Sequence, residues 1–191
     1  MHFTSLPDLE HELVLLRPIA EQDLEPWFGY LSQPVVFEHT SWNVKAPSEL
    51  AHYVWKPAEF TESSLLRFAI ASRVSNSLVG TAGFHTVSAQ NATAEIAYDL
   101  SQDFWGKGIA SAVCSCLTHW GHTAAKLVRV QATVLESNVR SMRVLERSGF
   151  EREGLLRFYR NVRGSPGNFY MYAHVVPRAD ALYLPVDRHT K

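Results

Sequence analysis

The run from Ala94 to Trp120 constrains this chain more than any other stretch. Ala94 to Leu100 alternates apolar and polar residues and predicts a strand. A glycine-rich turn follows, Trp105-Gly106-Lys107-Gly108-Ile109-Ala110. Apolar residues at Ile109, Val113, Leu117 and Trp120 then predict a helix over Ile109 to Thr123. Glycine has no β-carbon, so the backbone of such a turn can approach a ligand and adopt positive φ. The unpaired N–H groups and the dipole at the helix start favour an anion there. The arrangement reads as a phosphate cradle. It is neither a dinucleotide fingerprint, because the third glycine is missing, nor a Walker loop, because no Gly-Lys-Ser/Thr closes it.

The elements around this run set the fold class. Glu12 to Arg17 predicts a first strand. Ala20 to Ser32 carries Leu24, Trp27, Phe28 and Leu31 at helical spacing, with Pro34 as its stop. Val35 to Ala46 is aromatic and irregular, and a second helical stretch opens at Pro47 and runs toward Phe60. Leu66–Ser72, Leu78–His85 and Ala94–Leu100, joined by short polar turns, predict an antiparallel meander. Leu127 to Leu135 alternates, with Val128, Val130, Ala132 and Val134 on one side and Arg129, Gln131 and Thr133 on the other. The helix before it favours a parallel crossover. Ser137 is read as the N-cap of a helix ending at Gly149. Phe150 opens a strand, and Leu156–Arg163 and Phe169–Val176 flank a hairpin turn at Gly164–Gly167. The sum is α+β: a mixed, mostly antiparallel twisted sheet with one central βαβ crossover and helices on both faces. It forms a single domain over residues 1–191, with 1–11 and 178–191 peripheral.

Composition excludes several classes. With 46% hydrophobic and 19% charged residues the chain is globular. A formal charge of −1 and no long basic run disfavour nucleic acid as a partner. No apolar run reaches the ~18 residues of a membrane helix, and the N-terminus does not read as a secretory signal. Cys114 and Cys116, two apart on a helix, suit neither a disulfide nor a metal pair, and no metal cluster is read. A reducing cytoplasm fits.

A second motif lies downstream: Asn138-x-x-Ser141-x-x-x-Leu145-Glu146-x-x-Gly149-Phe150. In this order and spacing the two motifs resemble the GNAT superfamily of N-acetyltransferases over Leu66 to Val176. The Phe104-Trp105-Gly106-Lys107-Gly108 turn, Glu95-Ile96-Ala97-Tyr98 before it and Phe150 to Arg157 after it resemble the RimJ/RimL branch, which includes acetyltransferases of ribosomal-protein N-termini. The resemblance implies acetyl-CoA as co-substrate. The backbone amides of Trp105 to Ala110, continuing to Ser111, would receive its diphosphate, with Lys107 as a nearby cation. Tyr98, Asp99 and Leu100 would splay from the neighbouring strand and bond the pantetheine arm, like an added strand. Asn138 matches the asparagine that contacts the cofactor near its thiol. Where a tyrosine often stands as proton donor this chain has Leu145, and Ser141 is the branch's substitute. Dimers are frequent in the branch, which makes a homodimer an expectation.

The implied reaction is direct acyl transfer to a neutral amine. Ser141 protonates the departing thiolate, or else its hydroxyl only satisfies its own helix. Glu95 is the candidate base, through water, or else a strand glutamate paired with an arginine. His85 is a weaker candidate. Some members carry a second carboxylate where this chain has Arg160. Glu153 is expected to order its strand. Phe37, His39 and Trp42, with Tyr53 and Trp55, lie where the family forms its acceptor pocket, although such aromatics also build cores. Three readings follow: acetylation of a protein N-terminus, acetylation of a small amine, or a non-catalytic acyl-CoA-binding module.

Overall fold

The computed structural model describes residues 6–41, 44–54 and 66–177. Seven strands form one sheet in the order β1-β2-β3-β4-β5-β7-β6. They are β1 (Val14–Pro18), β2 (Leu66–Ser72), β3 (Leu78–Ser88), β4 (Thr93–Leu100), β5 (Arg129–Leu135), β6 (Glu151–Val162) and β7 (Ser165–Val175). All neighbours are antiparallel except β4 and β5, which the crossover makes parallel. The helices are α1 (Leu24–Leu31), α2 (Pro34–Phe37), α3 (Ile109–Thr123) and α4 (Val139–Arg147), with a 3-10 segment at Pro47–Tyr53.

The period-2 pattern of the strands divides the core between the two faces. Phe68, Ile70 and Phe84 meet Val113, Leu117 and Trp120 of α3, and Leu145 of α4 joins them. Trp120 stacks on Phe84 and meets Phe68 edge-on. On the opposite face Ala69 and Leu78 meet Trp27 and Leu31 of α1, Val36 of α2 and Leu50. Each such large side chain, fully buried, stabilises the fold by about 1.5–3 kcal/mol.

Four local expectations are corrected. Pro34 does not merely stop a helix. It occupies the first turn of α2, where its missing N–H costs nothing. The N-cap of α4 is Asn138, not Ser137: its side-chain oxygen accepts from the Ser141 N–H at 3.1 Å. The first predicted helix begins as a 3-10 turn, Glu21–Asp23, before α1. The β6–β7 hairpin turns at Arg163-Gly164, both with positive φ (51° and 88°), so Ser165, Pro166 and Gly167 already belong to β7. The stretch expected to be helical beyond Val54, the aromatics Trp42 and Trp55, and the tail 178–191 lie outside the described residues.

One feature of the sheet positions the site. β4 pairs with β5 only from Thr93↔Arg129 to Glu95↔Gln131. On its other side it stays paired with β3 as far as Gly80↔Leu100. Beyond Glu95 the two parallel strands therefore fork, as the expected splay requires.

Candidate active site

The turn after β4 leaves a row of backbone donors unpaired. Gly106 and Gly108 both take the left-handed region (φ 74° and 76°), and a β-carbon on either would meet nothing within 4 Å. Among the described residues, no protein acceptor pairs with the backbone N–H groups of residues 106–111. The first helical bond is Ala112 N–H to Gly108 O. A row of unpaired donors at the start of a 15-residue helix fits a diphosphate. Trp105 differs from expectation: its own N–H donates to Gln102 O at 3.0 Å, closing a 3-10 turn, so its amide is spent. Its indole N–H instead donates to Leu100 O at 2.8 Å and pins the end of the forked strand.

A cavity of about 440 Å³ runs from this turn into the fork. Of the residues expected to hold the cofactor, Tyr98, Asp99, Leu100, Trp105, Gly106, Gly108, Ile109, Ala110, Ser111, Asn138 and Ser141 line it. Lys107 does not. Its ammonium sits 4.8 Å over the Phe104 ring. The Asp99 carboxylate is bound on the α1 side of the sheet by the Tyr30 hydroxyl, Arg67 and Thr81. The Asn138 amide is likewise engaged, capping α4 and donating to His39 O at 3.2 Å.

The two motifs meet at Ser141. Its hydroxyl lies 3.0 Å from that of Tyr98, which also approaches the Ser141 carbonyl at 3.2 Å. Burial holds the Tyr98 phenol well above its usual range, so it stays protonated. Leu145 is fully buried in the core. The tyrosine hydroxyl of this site therefore comes from the strand and not from α4.

A second cavity of about 130 Å³ adjoins the first, sharing His39, Thr40, Tyr98, Asp99, Asn138 and Ser141 with it. Glu95, at the crotch of the fork, and His85, its cross-strand partner in β3, line this second cavity. Glu95 accepts from the Thr133 hydroxyl and from Arg160 Nη2 at 3.1 Å, with His85 Nε2 at 3.7 Å. It is buried, at 3% exposure, so the arginine pairing weighed for it is what the structure holds. Burial lowers the His85 pKa, and Arg160 and Arg67 add to this against the opposing pull of Glu95, leaving a neutral imidazole at pH 7.

His39 is brought to both cavities, whereas Phe37 lines neither and lies beneath the Arg163 guanidinium at 5.8 Å. Tyr53 packs on Trp27 in the core. Glu153 makes a two-pronged pair with Arg129 at 2.8 and 2.6 Å, an ordering contact. Arg140, Arg143 and Arg147 of α4 also line the larger cavity and escaped the sequence reading. Their spacing of i, i+3, i+7 alongside Ser141 is the signal that would have found them.

Comparison with known proteins identifies the family. Residues 14–151 match the family model described as the acetyltransferase (GNAT) domain. An uncharacterized N-acetyltransferase, YoaA of Bacillus subtilis, is 33% identical over 174 residues, covering 90% of this chain and 98% of that one. The ribosomal-protein-serine acetyltransferase of Escherichia coli is 29% identical over 99 residues, 52% of this chain and 55% of that one. Mycobacterium smegmatis RimJ, solved in complex with CoA-disulfide, superposes with a TM-score of 0.75 at 25% identity, covering 92% of each chain. The chain belongs to the GNAT family of acetyl-CoA-dependent N-acetyltransferases, in its RimJ/RimL-like branch.

Proposed function

We propose that this enzyme acetylates the free N-terminal α-amine of a protein or peptide, in the cytoplasm. The observation that carries the choice of acceptor is the charge state of the smaller cavity. Its two carboxylates, Glu95 and Asp99, each carry their own arginine, Arg160 and Arg67. No spare anion remains among its described lining residues for a polycationic amine. An α-amine, with a pKa of ~7.7–8.0, is roughly a tenth neutral at pH 7, whereas a lysine amine at ~10.4 is almost wholly charged. A terminal amine therefore needs only a mild base, and a neutral His85 backed by Glu95 suits that need.

Acetyl-CoA supplies the acetyl thioester, and the chain's own residues do the rest. The amides of residues 106–111 hold the diphosphate. The free side of β4 beyond Glu95 holds the extended arm, and its N–H groups near Leu100 face the developing oxyanion. Glu95, through His85 or water, receives the amine's proton. Ser141, with its hydroxyl held by Tyr98, returns a proton to the leaving sulfur.

A panel that follows free CoA release tests the acceptor. Unblocked peptides should turn over, while the same peptides with blocked N-termini and spermidine should not. Turnover of spermidine with no peptide active would assign the enzyme to small amines. Tight acetyl-CoA binding without turnover on any amine would leave a binding module.

A further inference from the structure

We infer that the unpaired edge of the Arg160 guanidinium receives a carboxylate of the acceptor, so that the preferred substrate is an N-terminus with an acidic residue at its first or second position. This rests on the terminal-amine reading and narrows it to a class of peptide.

Arg160 stands in the wall of the smaller cavity with Phe169. Its guanidinium lies 5.0 Å from the centre of the Tyr159 ring and 5.7 Å from that of Phe169. Its Nη2 donates to Glu95 Oε1 at 3.1 Å. These contacts hold the plane of the fork and occupy one corner of it. Nη1 and Nε have no acceptor among the described residues, and neither is shut away from solvent. The side chain is 33% exposed, against 6% for Arg67, the other arginine lining this cavity. Arg67 is engaged: it donates to Thr81 and Asp99 and lies against the rings of Trp27 and Tyr53. Among the described lining residues, Arg160 is therefore the arginine with donors turned toward a ligand.

The backbone of β6 aims this side chain. From Leu156↔Phe169 to Arg160↔Gly167, β6 advances four residues while β7 advances two. The extra residues form a bulge in which Phe158 takes φ 53°, a region unfavourable for an aromatic side chain. The Phe158 N–H donates to Asn168 Oδ1 at 3.0 Å. Bulges of this kind redirect side chains beside active sites. At the inner corner of the fork, Glu95 also accepts from the Thr133 hydroxyl, and His85 Nε2 stands 3.7 Å away. An amine that gives its proton to this pair sits against one edge of the guanidinium. A carboxylate within a few bonds of that amine reaches the open edge, where the fork matches its two oxygens. An amide of the same shape offers a single neutral acceptor and forfeits the charge-assisted bond.

The test is steady-state kinetics on unblocked peptides that differ only in carrying Asp or Asn at the first or second position, with alanine and alaninamide beside them. In the wild type, kcat/KM for the Asp peptide should exceed that for its Asn twin about tenfold at one of the two positions, mostly through KM. Arg160→Met should abolish that preference whatever it does to the absolute rate, and Arg160→Lys should keep part of it. Taking the ratio cancels any general loss from disturbing Glu95. Calorimetric binding of the acetylated product peptides reads the same ratio without turnover, so a slow variant still gives an answer. Equal rates for Asp and Asn peptides at both positions would overturn the proposal and leave the terminal-amine reading intact, as would a preference that survives Arg160→Met. Turnover of alanine, with alaninamide and every peptide inactive, would give the guanidinium to an α-carboxylate and overturn both.

Discussion

The hydroxyl groups of Tyr98 on β4 and Ser141 on α4 stand 3.0 Å apart at the junction of the two cavities. A protonated phenol beside the serine can support its hydroxyl as donor to a departing sulfur and share the proton left behind. Ser141→Ala should lower kcat about 10- to 100-fold with acetyl-CoA affinity within twofold of wild type. Tyr98→Phe should fall between the two. Steady-state kinetics paired with calorimetry check this, and full turnover in Ser141→Ala would remove that residue from the chemistry.

Gly108 has φ 76°, and a β-carbon added there would enter open space. Gly108→Val should abolish measurable acetyl-CoA binding, because its side chain would fill space meant for the diphosphate. The left-handed backbone should also cost about 1–3 kcal/mol of stability. Titration calorimetry reads the first effect and thermal melting the second. Retained binding would place the diphosphate elsewhere.

Arg160 shares the smaller cavity with Glu95 and His85, and after burial its charge is one of the causes that lower the His85 pKa. Arg160→Met should therefore move the acid limb of the kcat/KM profile to higher pH. Glu95→Gln should depress kcat/KM throughout. A profile unmoved by Arg160→Met would separate this cluster from the proton transfer.

Arg163, at the tip of the β6–β7 hairpin, donates to Phe37 O and Thr40 O at 2.9 Å and to Glu38 O at 2.7 Å. These bonds fasten the segment that carries His39 and Thr40 into both cavities. Arg163→Ala should cost about 1–3 kcal/mol and speed amide exchange at Glu38 and Thr40. It should raise the KM for the acceptor more than that for acetyl-CoA.

His85 and His174 both have pKa values lowered by burial, the latter also by His122 beside it at 2.9 Å. Below the unfolded value of about 6.5 the unfolded chain takes up protons that the folded chain refuses. Stability present above that value is lost as pH falls. The melting temperature should drop between pH 7 and pH 5, and less so in His174→Asn. An equal drop in both would locate the acid sensitivity in other groups.

Much of this was legible from residues alone, where local pattern and tertiary packing agree. Helix α3 occupies Ile109–Thr123 as its apolar spacing predicts, and β5 buries Val130, Ala132 and Val134 as alternation requires. The glycine turn with positive φ ahead of α3 was legible in the same way. What escaped depended on partners distant in sequence. The commitment of Asp99 to Tyr30, Arg67 and Thr81 bridges three elements, and no local pattern encodes it. The spent amide of Trp105 needed the 3-10 turn at Gln102–Phe104, too short to leave a periodic signal. Tyr98 as partner of Ser141 needed the fork, which brings β4 against α4 across 43 residues of chain.

That fork has a mechanical consequence. Only three residue pairs stitch β1–β4 to β5–β7 within the sheet, so the sheet itself is two leaves joined along a short seam. On the proposed placement of the coenzyme, its extended arm lodges between them as a shim that stiffens the joint. In that placement the coenzyme would be a structural spacer as well as a donor of its acyl group.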